Sequence, residues 1–177
     1  NTNAEILVSR SPDNGQTWLD AGSPGSVKFN TMGLQRQPST VSSESGILHS
    51  IWENTRTDVG RLGIFHARST DNGASWSHPR LVYKDLVGRN QDFSSIAVDG
   101  ETIYVTYLTF DAVNDDGYTH VFLCKSSDKG ETWTEPMRVD QFEGGGSYEC
   151  CIQNIAVGPD GTVAVAFRSN IQNRRDI

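Results

Sequence analysis

The sequence has no apolar run long enough to cross a bilayer and no stretch with a convincing helical stripe. Nothing at its amino end resembles a secretory leader. With 36% hydrophobic residues and a mean hydropathy of −0.47, its 177 residues suit one ordinary globular domain or part of a larger one. Basic residues are scarce: 15 against 22 acidic ones give a formal charge of −7, which disfavours nonspecific contact with nucleic acid or anionic lipid. Neither nucleic acid nor membrane is therefore expected as a partner. Cysteines number three, Cys150 and Cys151 adjacent and Cys124 apart, which is neither a disulfide framework nor a spaced zinc pattern. His49, His66, His78 and His120 lack metal-ligand spacing, so no metal or cofactor is expected. No Asn-x-Ser/Thr sequon occurs, and the compartment stays open.

What the chain does have is a repeat. SPDNGQTW (Ser11 to Trp18), STDNGASW (Ser69 to Trp76) and SSDKGETW (Ser126 to Trp133) all obey SxDxGxxW. Asp13 to Asp71 is 58 residues and Asp71 to Asp128 is 57, so the matches are periodic as well as similar. Pro79 and Pro136 follow the last two motifs at the same offset, and short apolar segments follow them. Farther on, PSTVSSESGILHSIWE, SSIAVDGETIYVTYL and QNIAVGPDGTVAVAFR each read as strand, tight turn and alternating strand. Asp99-Gly100 and Asp160-Gly161 are two-residue hairpin signals, with Ser45-Gly46 in the equivalent place.

Each unit therefore reads as four antiparallel strands a, b, c and d, which predicts an all-β protein of β-propeller type. Residues 1–28 hold strands c and d of one blade, 36–84 a second blade, 92–140 a third, and 152–177 strands a and b of a fourth, about three four-stranded blades in all. Within the motif, the aspartate falls at the c–d hairpin, where a short carboxylate accepts hydrogen bonds from the residues that follow. Gly15, Gly73 and Gly130 supply the left-handed turn conformation, and each tryptophan brings a large ring to bury beneath the turn. Repetition in every unit suits a structural staple better than a calcium loop, for which the octamers lack the further oxygen ligands.

At Ser11, Asp13, Gly15 and Trp18, at Ser69, Asp71, Gly73 and Trp76, and at Ser126, Asp128, Gly130 and Trp133, the chain resembles the Asp-box or BNR repeats of the sialidase (neuraminidase) superfamily. The resemblance runs through practically the whole sequence and implies a six-bladed propeller whose boxes lie on the face away from the active site. A second run, from Tyr148 to Ile177, is similar to a segment of bacterial sialidase-like proteins of unassigned reaction. The resemblance alone favours a secreted or periplasmic location, and the residues themselves leave it open.

The opposite face gathers the loops from d to the next a and from b to c, where function is usually grafted. Sialidases, the resemblance implies, grip a substrate carboxylate with three arginines and use a tyrosine nucleophile with a glutamate partner and an aspartic general acid. Guanidinium forks match carboxylates, and a tyrosine avoids bringing an anion up to an anionic substrate. Arg56, Arg89, Arg168, Arg174 and Arg175, with Arg61, lie in suitable loops as substrate-binding candidates. Tyr148 and Glu149 are the nearest approach to the nucleophile pair, with Asp92 or Asp58 as acid. The superfamily's Phe/Tyr-Arg-Ile-Pro motif, which supplies the first arginine, is absent; FRSN at Phe167 to Asn170 shares only its first two letters. The ordinary alternative for each arginine is a surface pair with a neighbouring carboxylate.

Other groupings read first as structural: Asp111, Asn114, Asp115 and Asp116 as a solvated acidic hairpin, with calcium binding the alternative, Gly144 to Gly146 as a flexible run, and Cys150 with Cys151 as reduced thiols, with a vicinal disulfide or a soft-metal pair the alternatives. Two functional classes stand: a sialidase-type glycoside hydrolase or degenerate relative, and a noncatalytic propeller binding a glycan or protein through its loop face. Asn1 in place of methionine fits a processed product or a fragment. Forty-nine residues follow Asp128 and 13 end at Asp13, together one step of 62, so the two ends complement each other. The expected partners are thus a glycan ligand and either the rest of a propeller chain or a second copy that completes the ring.

Overall fold

The structure is a computed structural model that describes residues 6–19, 35–55, 60–85, 89–110, 119–140 and 153–168. Ten strands and no helix occur among them. β1 (Gln35–Ser42), β2 (Leu48–Thr55), β3 (Leu62–Ser69) and β4 (Arg80–Leu81) form one antiparallel sheet in that order. β5 (Asp92–Asp99), β6 (Thr102–Phe110), β7 (Thr119–Ser126) and β8 (Met137–Arg138) form a second, and β9 (Asn154–Val157) pairs with β10 (Val163–Ala166). These are the a, b, c, d units that the alternating segments predict. Strand d is only two residues long in each complete sheet. The stretch after each box carries Pro79 or Pro136, which has no N–H to donate to a ladder.

Apolar side chains on both faces of the sheets pack against the next unit. Ile51, Ile64 and Val82 of the first sheet share a core with Ile96, Ile103, Val105, Tyr107, Phe122 and Cys124 of the second. Ala97 and Leu123 pack on Ile155 of the hairpin β9–β10, while Ile6 packs on Trp52 and Ala67. The core is thus a series of seams between sheets, which explains why β2 is buried along both faces instead of alternating. Burial also makes Cys124 inert: its thiol is pushed up to about 12, chiefly by desolvation.

The three boxes have one geometry. In the second, Ser69 Oγ donates to Asp71 Oδ1 at 2.7 Å and accepts from the Gly73 N–H at 2.8 Å; Asp71 in turn accepts from the Ser75 N–H at 2.8 Å and the Ser75 hydroxyl at 2.5 Å. Asp13 and Asp128 make the same contacts. Hydrogen bonds from the threonine or serine four residues on, and then from the box serine, hold all three carboxyls at about 2, well below the usual range. Left-handed backbone occurs at two successive positions, the second being the glycine and the first Asn14, Asn72 or Lys129.

Several local expectations change. Asp160-Gly161 belongs to a three-residue loop, closed by Gly158 N–H to Thr162 O at 2.8 Å and Gly161 N–H to Gly158 O at 3.0 Å; Ser43 to Ile47 repeats it. Of the three described a–b turns, only Asp99 to Thr102 turns on two residues, Gly100 and Glu101. Residues 6–10, expected as strand c of the first blade, carry no strand, since no described strand lies beside them to pair with. Trp18 is 64% exposed, whereas Trp76 and Trp133 are half-buried against a preceding unit. Its burial is therefore not a property of the turn but of the neighbour that covers it.

Candidate functional site

The boxes and the a–b turns occupy one end of the sheets, and the starts of strands a and c with the end of strand b occupy the other. At that second end, residues of three strands meet. Arg36 on β1 faces Glu53 on β2 across the ladder and places its Nε 2.6 Å from the Glu53 carboxylate. Its Nη2 lies 2.5 Å from Asp92 Oδ1 on β5. Glu53 is fully buried, and it also accepts the backbone N–H of Phe93.

Two β-bulges build this junction. Register slips between Arg36 and Ser39 and again between Asp92 and Ser95, with Gln37 and Phe93 in left-handed conformation at φ 54. A bulge re-aims side chains and frees ladder groups, so the Phe93 N–H reaches Glu53 and the Phe93 carbonyl accepts from Gln153 Nε2. Burial pushes the Glu53 carboxyl up, against the pull of Arg36. Arg36 is raised: burial opposes its charge, but the carboxylates of Glu53 and Asp92 outweigh that cost. The result is a guanidinium held by two carboxylates through Nε and Nη2 while its side chain keeps 38% exposure. Such a group offers its remaining N–H donors to an anionic or hydroxylated ligand in a fixed plane.

A second polar cluster stands at the same end of the second sheet. His120 Nδ1 lies 3.1 Å from both oxygens of Asp140, and Arg138 Nε lies 2.7 Å from Asp140 Oδ1. Asp140 also accepts the Val121 N–H at 3.3 Å. The equivalent N–H groups of Ile6 and Ile64 instead reach Gln35 Oε1 at 3.0 Å and Gln91 Oε1 at 3.2 Å. Gln35, Gln91 and Gln153 thus recur at the start of strand a as latches between units. Where Asp140 has taken the N–H, Gln153 Oε1 is buried with no partner among the described residues.

Of the residues proposed from sequence, Asp92 belongs to the Arg36 junction. Arg89 is half-buried and its N–H donates to Asp85 at 2.6 Å; Arg168 is exposed just beyond β10 and Arg61 just before β3. Tyr148, Glu149, Arg56, Arg174, Arg175 and Asp58 lie outside the described residues, as do Asp111, Asn114 to Asp116, Gly144 to Gly146, Cys150 and Cys151. Arg36 and Glu53 were missed by the sequence reading. A signal existed: Arg36-Gln37-Pro38 keeps the arginine and the proline of the Phe/Tyr-Arg-Ile-Pro motif at its spacing.

Solved structures supply the comparison. A Hadza microbial sialidase, Hz136, superposes with a TM-score of 0.58 at 22% identity over 75% of this chain and 32% of its own. The fold is that of the sialidase-type propeller. Penicillium chrysogenum alpha-L-arabinanase complexed with arabinobiose matches with a TM-score of 0.63 at 14% identity, over 95% of this chain and 50% of its own. Trypanosoma rangeli sialidase in complex with sialic acid matches at 0.51 and 15% identity, over 88% and 28%. The chain spans about a third of the length of the microbial sialidase and about half that of the arabinanase. No family model matches the sequence, and neither does any curated protein.

Proposed function

We propose that the loop end of this partial propeller is a glycan-binding face selective for an acidic sugar, as part of a sialidase-type hydrolase or a degenerate relative. The observation that carries the reading is the junction of Arg36, Glu53 and Asp92, contributed by three strands of two sheets. A buried carboxylate beneath a part-exposed guanidinium fixes the fork, so a bound carboxylate meets oriented donors instead of a mobile side chain. The neighbours whose names include sialic acid or arabinobiose support a glycan ligand by likeness of fold only.

Asp92 has two roles to choose between. As it stands it accepts from Arg36, which positions the guanidinium; protonating a leaving group requires that contact to be given up. This favours, as the second reading, a propeller that binds an acidic glycan without hydrolysing it. Calorimetric titration with sialyllactose and with lactose tests the ligand class, using the parent chain and Arg36→Lys, which keeps the charge but loses the fork. Binding of sialyllactose alone, weakened about tenfold or more in Arg36→Lys, is the expected result, since one lost forked contact corresponds to ~1.4 kcal/mol. Equal affinity for both sugars, or indifference to the substitution, rejects the reading. Turnover of a fluorogenic sialoside then separates hydrolase from binding module.

A further inference from the structure

Gln91 shows what a latch glutamine does between units. Its Oε1 accepts the Ile64 N–H at 3.2 Å and its Nε2 donates to the Tyr83 carbonyl at 3.4 Å, so both ends of the amide are matched. In the next unit the corresponding groups are the Val121 N–H and the Asp140 carbonyl, since Val82 and Val139 donate alike to the carbonyls of Ile64 and Val121. Both have other partners there. Asp140 Oδ2 accepts the Val121 N–H at 3.3 Å, and the Asp140 carbonyl accepts Arg138 Nε at 2.8 Å.

Gln153 is therefore not needed to seal that boundary, which β9 already closes by packing Ile155 on Ala97 and Leu123. Its place differs too: it stands four residues before Val157, whereas Gln35 and Gln91 stand seven before Ser42 and Val98, the residues of matching register. There it is fully buried, with Nε2 donating to the Phe93 carbonyl and Oε1 unpartnered among the described residues. Half of a buried amide left unmatched is costly, so the other half has to hold something that matters.

What it holds is the bulge beneath the Arg36 junction. Phe93 donates its N–H to Glu53 and offers its carbonyl to Gln153, so the peptides on either side of it are gripped from two different neighbours of β5. Phe93 has φ 54, a left-handed backbone that a bulky aromatic residue avoids unless its surroundings impose it. One residue earlier, Asp92 Oδ1 lies 2.5 Å from Arg36 Nη2. If Phe93 relaxed to extended backbone, the bulge between Asp92 and Ser95 would close and the Asp92 side chain would be aimed elsewhere.

We propose that Gln153 is a positioning residue of the Arg36 junction: from the start of β9 it fixes the left-handed backbone of Phe93 and thereby keeps Asp92 on the guanidinium. The junction is then built by three units, although only two supply side chains that touch Arg36. The inference deepens the glycan reading and rests on it for what the junction binds, but its first readout involves no sugar.

Nuclear magnetic resonance of the full chain follows the Phe93 amide and the Arg36 Nε–H, the latter identified by its loss in Arg36→Lys. Gln153→Met, which keeps the length and removes the donor, is expected to speed exchange of the Phe93 amide about tenfold or more, to shift the Arg36 Nε–H signal and to weaken sialyllactose binding. Ile155→Val, which removes one methylene from the seam of the same hairpin, is expected to lower stability and leave both signals in place. Should Gln153→Met not fold, Gln153→Asn, which keeps an amide but falls short of the carbonyl, is read in the same way. Signals that stay put in the glutamine variants, or that move as far in Ile155→Val, overturn the proposal. A Phe93 amide that exchanges in the parent chain as fast as an unprotected one overturns it without any substitution. Signals that move as expected in a chain whose parent binds no sialyllactose reject the glycan reading and leave the positioning role standing; unmoved signals in a chain whose parent binds it do the reverse.

Discussion

A methyl group added at Gly130 would stand 2.1 Å from His66 Cε1, whereas at Gly15 nothing lies within 4 Å, although both residues have φ near +85° (83° and 86°). The backbone penalty of a left-handed alanine, ~1–2 kcal/mol, is therefore common to both boxes, and the steric one belongs to Gly130 alone. Gly130→Ala is expected to lower the urea midpoint well beyond Gly15→Ala, because the imidazole is itself pinned by His49 and Trp133 and cannot step aside. Equal effects in the two boxes would show that Gly130 matters only for its dihedral angles. The motif letters are the same; the environment decides what the glycine is for.

At the scale of elements, the seam between β2–β3 and the third box contains the pair His49 and His66, Nδ1 to Nε2 at 3.0 Å with rings stacked at 5.3 Å. Burial depresses both, to about 4 and about 3, helped for His66 by His49 and for both by Arg68. An unfolded histidine takes up its proton near 6.5, so the unfolded chain binds more protons below that pH and stability falls as pH drops from about 6.5 toward 3. Box carboxyls add to the fall below 3.8, where the unfolded chain protonates them first. Acid titration followed by tryptophan fluorescence is expected to show destabilisation beginning near pH 6, and a His49→Phe/His66→Phe chain, if folded, to lose that first limb. A parent chain equally stable at pH 6.5 and 4.5 would refute the assignment.

These same elements show what could be read from residue order. Hairpins, strand order and boxes were legible because they rest on glycine placement and apolar alternation, which are local. The bulges at Arg36 and Asp92 were not, because Gln37 and Phe93 take left-handed backbone without a glycine to announce it. Nor were the latches Gln35, Gln91 and Gln153, whose partners lie in another unit and whose polarity breaks the hydrophobic pattern. The Arg36 junction escaped for a related reason: its members are 17 and 56 residues apart and meet only once the sheets stack.

For the whole molecule, the position of the core between sheets predicts where stability is lost first. β2, β3, β6 and β7 are hydrogen-bonded on both edges and buried against neighbours, and the largest apolar cluster joins them into one seam. β9–β10 contributes Ile155 and partly buried valines to a smaller seam and pairs along a single ladder of four residue pairs. Few buried contacts and a single ladder among the described residues make a unit that opens below the global free energy. Native-state amide exchange is accordingly expected to show slow, shared protection for β2, β3, β6 and β7 and faster, separate exchange for β9 and β10. Uniform protection across the ten described strands would mean that the seams are coupled more tightly than their buried area implies.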